Sequence, residues 1–367
     1  MDVRAARPKA LSDSLLINLS LLMQQPTGLT TYARQLVPHL RSLQPTLLTA
    51  HPFEGFRCIP TPANLTAEHG SRGHLRRLLW TQFQLPKLYR QLGASLLFSP
   101  VPETPLWRRT RSVVTVHDLI PLRFGSARSP LRLYFRHYVP QVLRQAAHIL
   151  CDSEATARDI THFYGLPARK MTAVPLAYDA EHFRPLSLPT QNYFFYVGRH
   201  DPYKNLHRLI EAFGQVRDLP DVELWIAGPA DPRFTPALAA QAAELGLAHR
   251  VKFLSYVPYG DLPRLLNQAI ALVFPSLWEG FGLPVLEAMA CGTAVITSNQ
   301  ASVPEVAGDA ALLVDPYRPE AIAAAMRQVA TDDHGRSQLQ SLSLARSQQF
   351  SWERTGQQTA AILGQYL

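Results

Sequence analysis

Two carboxylates eight residues apart, Glu279 and Glu287, bracket the turn Gly280-Phe281-Gly282-Leu283-Pro284. The apolar, β-branched run 269–274 before them reads as a buried strand. Pro284 suits the first helical positions, Gly292 suits the residue after a helix, and Ala294-Val295-Ile296 resumes a strand. The segment is therefore a strand–loop–helix–strand unit whose glycine-bearing loop faces a helix N-terminus. Unpaired amides and the helix dipole favour an anion there. A phosphate flanked by hydroxyls, as in a nucleotide sugar, fits amides and carboxylates placed this way. The plain alternative is a tight turn with one loop glutamate and one helix-face glutamate. The spacing is neither G-x-G-x-x-G nor a Walker sequence, which argues against NAD and ATP chemistry.

Other residues sit where a second reactant would need them. Arg199 and Lys204 follow a strand that ends at Gly198, so they fall at the carboxyl edge where open α/β sheets bind ligands. Two cations there suit a diphosphate leaving group, although two solvated charges would look the same in sequence. His117-Asp118 ends the strand Val113 to Val116, and Val257 follows another strand at a base-binding position. Gly28 permits close backbone approach to an acceptor or phosphate.

The elements that must position these groups alternate along the chain. Strand signals at 15–19, 95–99, 113–116, 148–151 and 171–174 are separated by helical ones at 28–43, 131–145 and 154–163. A proline-punctuated linker covers 175–189. Alternation restarts with strands at 193–197, 222–227 and 251–254 and helices at 205–217, 236–245 and 261–268. The tail 350–367 is helical. This pattern specifies an α/β chain with parallel sheets, wound as two Rossmann-like domains around a cleft.

At 367 residues there is length for two cores, and 47% hydrophobic content excludes disorder. Cys58, Cys151 and Cys291 form no pairing framework and fit a reducing compartment. Arg7 and Lys9 before Leu15-Leu16-Ile17 hint at a signal peptide, but Asp13 and Asn18 interrupt the apolar run and a first strand reads better. No run reaches the length of a membrane span. The expectation is a cytoplasmic protein. Between Arg72 and Arg144 there are 13 Lys or Arg against two acids, within a net charge of +8. A solvated basic surface explains this, as does attraction to an anionic inner-membrane face or a phosphate-bearing acceptor. Nucleic acid is not expected, because no aromatic interleaving or recognition element accompanies the charge.

Over nearly its whole length the chain resembles the retaining glycosyltransferases of family 4, which have the GT-B fold. The resemblance rests on the Glu279/Glu287 segment, Tyr196-Val197-Gly198-Arg199 with Lys204-Asn205, and Thr115-Val116-His117-Asp118. Thr27-Gly28-Leu29, Ser302-Val303-Pro304-Glu305 and the tail Ser351-Trp352-Glu353-Arg354-Thr355 add to it. It departs from the family at Leu29, where related sequences often carry Ile followed by Gly or Arg. The resemblance implies an acceptor-binding domain over 1–178 and a donor-binding domain over 190–349, with 350–367 crossing back to the first.

It also implies the site. Glu287 takes the ribose hydroxyls, and Glu279 and His117 orient the donor sugar. Arg199 and Lys204 hold the diphosphate, Gly198 and Val257 line the donor site, and the amides of Gly280, Phe281, Gly282 and Leu283 meet phosphate or sugar. Gly28 and Asp118 fall to the acceptor. No first-domain carboxylate stands out as a nucleophile, so same-face attack with the leaving phosphate taking the acceptor proton is expected. No cofactor and no metal are expected, since no Asp-x-Asp clamp is present. The pattern is closest to bacterial mannosyltransferases of polysaccharide assembly. GDP-mannose is thus the first donor expected, ahead of UDP-sugars, with a sugar or lipid-linked acceptor. A non-catalytic sugar or membrane-surface binder on this fold is the other reading; the intact Arg199, Lys204, Glu279 and Glu287 argue against it.

Overall fold

The computed structural model describes residues 14–23, 28–107, 110–126 and 128–367. Thr27 of the glycine loop, Arg7 and Lys9, and Arg108 and Arg109 of the basic stretch lie outside these. Seven strands build the first sheet: β1 (Ser14–Asn18), β2 (Thr46–Thr49), β3 (Arg57–Pro60), β4 (Ala94–Ser99), β5 (Ser112–Val116), β6 (His148–Cys151) and β7 (Met171–Ala173). Six build the second: β8 (Tyr193–Val197), β9 (Glu223–Ala227), β10 (Val251–Ser255), β11 (Ala271–Phe274), β12 (Ala294–Ser298) and β13 (Leu312–Val314). The orders are 3-2-1-4-5-6-7 and 10-9-8-11-12-13, and every pairing is parallel. Parallel strands covered on both faces need continuous apolar residues. β5, β11 and β12 are accordingly buried from end to end.

In each sheet the winding reverses between its first strand and the neighbour on the other side, β1/β4 and β8/β11. A crevice opens at the carboxyl ends of strands at such a reversal. Pro100 and His117 follow β4 and β5; Gly198, Arg199 and the Pro275–Glu279 loop follow β8 and β11. The topology of each sheet thus brings these residues to its crevice edge.

Several element bounds differ from expectation for local reasons. The 28–43 helix is α-helical only over Gly28–Leu36 and tightens to a 3-10 helix over Val37–Leu43, where Pro38 withholds an amide. The 131–145 helix begins at Pro130 and contains a π turn over Tyr134–Tyr138. The helix Trp352–Gly364 is capped by Ser351 and returns to the first sheet's lobe. There Thr355 donates to the Pro175 carbonyl at 2.8 Å, and Tyr366 meets His148 at 3.1 Å. A side chain at position 356 would sit 2.1 Å from the His39 Cβ, so Gly356 is what lets this helix approach so closely.

Candidate active site

Lys204 and Glu279 come together. Lys204 ends the 3-10 turn Pro202–Lys204, and Asn205 follows in the left-handed region at φ 65°. The buried Asn205 amide donates to the Pro275 and Pro316 carbonyls at 3.0 and 2.6 Å, and Leu277 N–H donates to the Tyr203 carbonyl at 2.8 Å. These bonds fix the two loops side by side, and the Lys204 ammonium meets Glu279 Oε1 at 2.7 Å. Both side chains are about nine-tenths buried, at 12% and 10% exposure. Water therefore screens this pair little.

Below the pair, Gly282 (φ 108°) caps the helix Leu283–Ala290, with Pro284 in its first turn and Gly292 just past its end. The Gly280, Phe281, Gly282 and Leu283 amides have no acceptor among the described residues. Four donors without a partner thus run from the residue after Glu279 into a helix start, a place that favours an anion. The Phe281 side chain is buried against Phe350, and only its backbone serves the loop. Glu287 lies one turn into the helix, partly buried, and its carboxylate accepts no hydrogen bond among the described residues. Burial, with Asp179 adding, pushes its pKa up to about 8. It is a carboxylate short of donors.

Arg199 does not join Lys204. Its guanidinium is 66% exposed and pairs with Asp201 at 2.8 Å. Val257 packs on the second sheet's core beyond β10, two strands from the reversal point. Gly28 opens an exposed helix end, and a Cβ there would meet nothing, so no protein contact demands glycine.

Across the cleft, His117 Nδ1 faces Asp152 Oδ2 at 2.7 Å and Nε2 faces the Pro100 carbonyl at 2.9 Å. A carbonyl only accepts, so Nε2 carries hydrogen, and the carboxylate takes the second N–H. Burial alone would push His117 down, but Asp152 outweighs it and holds the imidazole above its usual value. Tyr32 stands edge-on to the ring at 4.8 Å. Asp118 caps the next turn by accepting from Ile120 N–H at 2.9 Å. Its pKa is raised by burial, with Glu279 and Asp152 adding to the effect.

The sequence did not single out the residues that hold the Glu279 loop against the first lobe. Ser153, Thr156 and Asp159 recur every third residue on the helix Glu154–Tyr164 and its cap. The Ser153 and Thr156 hydroxyls donate to the Gly280 carbonyl at 2.7 and 3.3 Å. Asp159 accepts from Trp278 Nε1 at 3.0 Å and from Arg123, whose guanidinium lies 3.6 Å over the Trp278 ring. Arg158 adds an ion pair to Glu305 at 3.0 Å. A Cβ on Gly280 would stand 2.1 Å from the His117 carbonyl oxygen. Only a residue without one lets the two lobes touch here. The one signal in the sequence is the three-residue spacing after the Ser153 cap; its partners on the Glu279 loop are over a hundred residues away.

Two reversed-order parallel sheets, with a cation–carboxylate pair and an anion-seeking loop in the cleft, define a two-lobed transferase of the GT-B fold. Solved structures agree on the fold. Sucrose-phosphate synthase from Thermosynechococcus elongatus superposes with a TM-score of 0.73 at 20% identity, covering 96% of this chain and 98% of that one. Anabaena HepE in complex with UDP and glucose gives 0.73 at 20%, covering 96% and 100%. The family model for glycosyl transferases group 1 matches residues 178–343, and that for glycosyltransferase family 4 matches 26–182. O-antigen chain mannosyltransferase B of Escherichia coli is 32% identical over 265 residues, 69% of this chain and 70% of the relative. O-antigen chain mannosyltransferase RfbU of Salmonella typhimurium is 28% identical over 314 residues, 82% and 87% of the two chains. The chain belongs to the family 4 glycosyltransferases. No helix among the described residues is long and apolar enough to cross a membrane.

Proposed function

We propose that this glycosyltransferase moves mannose, with retention, from GDP-mannose to a sugar or lipid-linked acceptor during cell-surface polysaccharide assembly. The observation that carries the reading is the Lys204–Glu279 pair beside four unpaired amides, with the donor-short Glu287 one turn further on. The diphosphate takes the amides and Lys204, and Arg199 swings from Asp201 to join them. Lys204 then exchanges one oxygen anion for another, and the released Glu279 accepts from sugar hydroxyls. Glu287 accepts from the ribose. The anomeric C–O bond to phosphate breaks, and the acceptor oxygen bonds to the same face. Its proton passes to the departing phosphate oxygen, whose charge Lys204 and Arg199 offset. His117, held by Asp152, sets the cleft wall against the sugar. The mannosyltransferase names of the relatives support the choice of donor. No cofactor or metal takes part in this scheme.

The proposal includes peripheral contact with an anionic membrane face. Leu75, Leu79 and Phe83 are exposed at four-residue intervals on the helix Gly70–Phe83, with Arg72 and Arg76 exposed beside them.

Donor hydrolysis tests the core of this reading without an acceptor. GDP-mannose, UDP-glucose and UDP-galactose are incubated with the chain in EDTA, and released nucleotide is measured. Turnover of GDP-mannose above the others is expected. Turnover of UDP-sugars alone overturns the donor assignment, and abolition by EDTA overturns the metal-free scheme.

A further inference from the structure

Outside the cleft, a cavity of about 470 Å³ is lined by Arg132, Arg136, His137 and Arg144 together with Leu122 and Phe163. Its lining includes no Asp or Glu, and none of the three arginines forms an ion pair among the described residues. Asp159, close by in sequence to Phe163, is committed to Arg123 and Trp278. Arg132 donates to the Gly125 carbonyl at 2.5 Å, whereas the guanidinium groups of Arg136 and Arg144 meet no acceptor among the described residues.

The arrangement is built into the helical run 130–145. Arg132, Arg136, Pro140 and Arg144 occur at every fourth position, which is one face of a helix. Like charges four apart, as at Arg132 and Arg136, destabilise a helix, and no carboxylate among the described residues pairs with either. The π turn Tyr134–Tyr138 inserts an extra residue into this face and brings His137 to the cavity beside Arg136. Such turns recur at functional sites. A row of cations that faces a cavity with no carboxylate in its lining is suited to an anion.

We propose that this cavity binds a phosphate or diphosphate group carried on an apolar substituent, with Arg136 and Arg144 gripping the oxygens and Leu122 and Phe163 meeting the apolar part. Guanidinium forks match phosphate oxygens in geometry as well as charge. The site does not rest on the donor reading, since none of its lining residues belongs to the Lys204–Glu279 loops.

The test uses the full chain and its Arg136→Gln/Arg144→Gln variant. Octyl phosphate and, as an uncharged control, octanol are titrated calorimetrically. In parallel, both proteins are floated with phosphatidylcholine vesicles with and without phosphatidic acid. At least a tenfold loss of octyl phosphate affinity in the variant, with no binding of octanol, is expected for a soluble or extractable phosphate ligand. Loss confined to the phosphatidic acid vesicles instead places the phosphate in a membrane headgroup. Because the two side chains are exposed and in no ion pair among the described residues, the variant should melt no lower than the parent. Equal binding by parent and variant in both arms overturns the proposal. So does a lower melting temperature, which would make the arginines structural.

Discussion

If Glu287 grips the ribose, nucleotide binding must expel a proton. In the free protein burial raises its pKa from 4.5 to about 8. At pH 7 roughly nine-tenths of the molecules then carry the neutral acid. Two hydroxyl donors stabilise the ionised form and pull the value back down. Binding of GDP at pH 7 should therefore release about 0.9 proton more from the parent than from Glu287→Gln, and almost none extra at pH 9. Calorimetry in phosphate and Tris buffers reads this number directly from the difference in heats. The parent's affinity should rise by roughly fiftyfold between pH 6 and pH 8 relative to the variant, then level off. Stability gives an independent readout with the opposite sign. An acid whose folded pKa lies above its unfolded one stabilises least at high pH, so the free parent loses stability as pH climbs from 4.5 toward 8. Glu287→Gln should consequently be the more stable protein at pH 9, by up to about 5 kcal/mol at roughly 1.4 kcal/mol per pH unit. Residual solvent access makes that an upper bound. Equal proton release from parent and variant would refute the ribose role, and equal stability at pH 9 would refute the buried acid.

Three further perturbations separate chemistry from architecture. Lys204→Met should abolish transfer by orders of magnitude and, by stranding the buried Glu279, destabilise the fold by about 3 kcal/mol; adding Glu279→Gln should restore the melting temperature and leave transfer absent. Asp159→Asn removes the anchor of Trp278, and near-normal GDP binding with kcat reduced at least tenfold is expected in steady-state kinetics; unchanged kcat would show that lobe contact does not position Glu279. Asp152→Asn removes the charge that holds His117 up, so NMR titration should find its pKa lower than in the parent. The stability contributed by that pair is complete below pH 6.5 and fades as pH rises through the raised His117 value, so the variant should lose most relative to the parent at pH 6 and least in alkali.

The sequence by itself determined what is local. A strand–loop–helix unit carries its own signals within some twenty residues, so the Glu279/Glu287 spacing, the Gly282 turn, the Pro284 start and the Gly292 stop are all legible in the sequence. The same holds for β8, matched residue for residue at Tyr193–Val197. Less survived where local signals are weak. β2 has only four residues, and β3 is a half-exposed edge strand ending in Pro60, so neither announced itself. Tertiary structure decided which groups lie together. Arg199 and Lys204 look alike in sequence, yet one is out in solvent against Asp201 and the other is buried on Glu279. Ser153 reaches Gly280 across 127 residues, and Asp159 reaches Trp278 across 119. No periodicity encodes such contacts, because they depend on how two independently wound sheets come to rest against each other. That docking sets the Glu279 loop of one lobe against the helix 154–164 of the other.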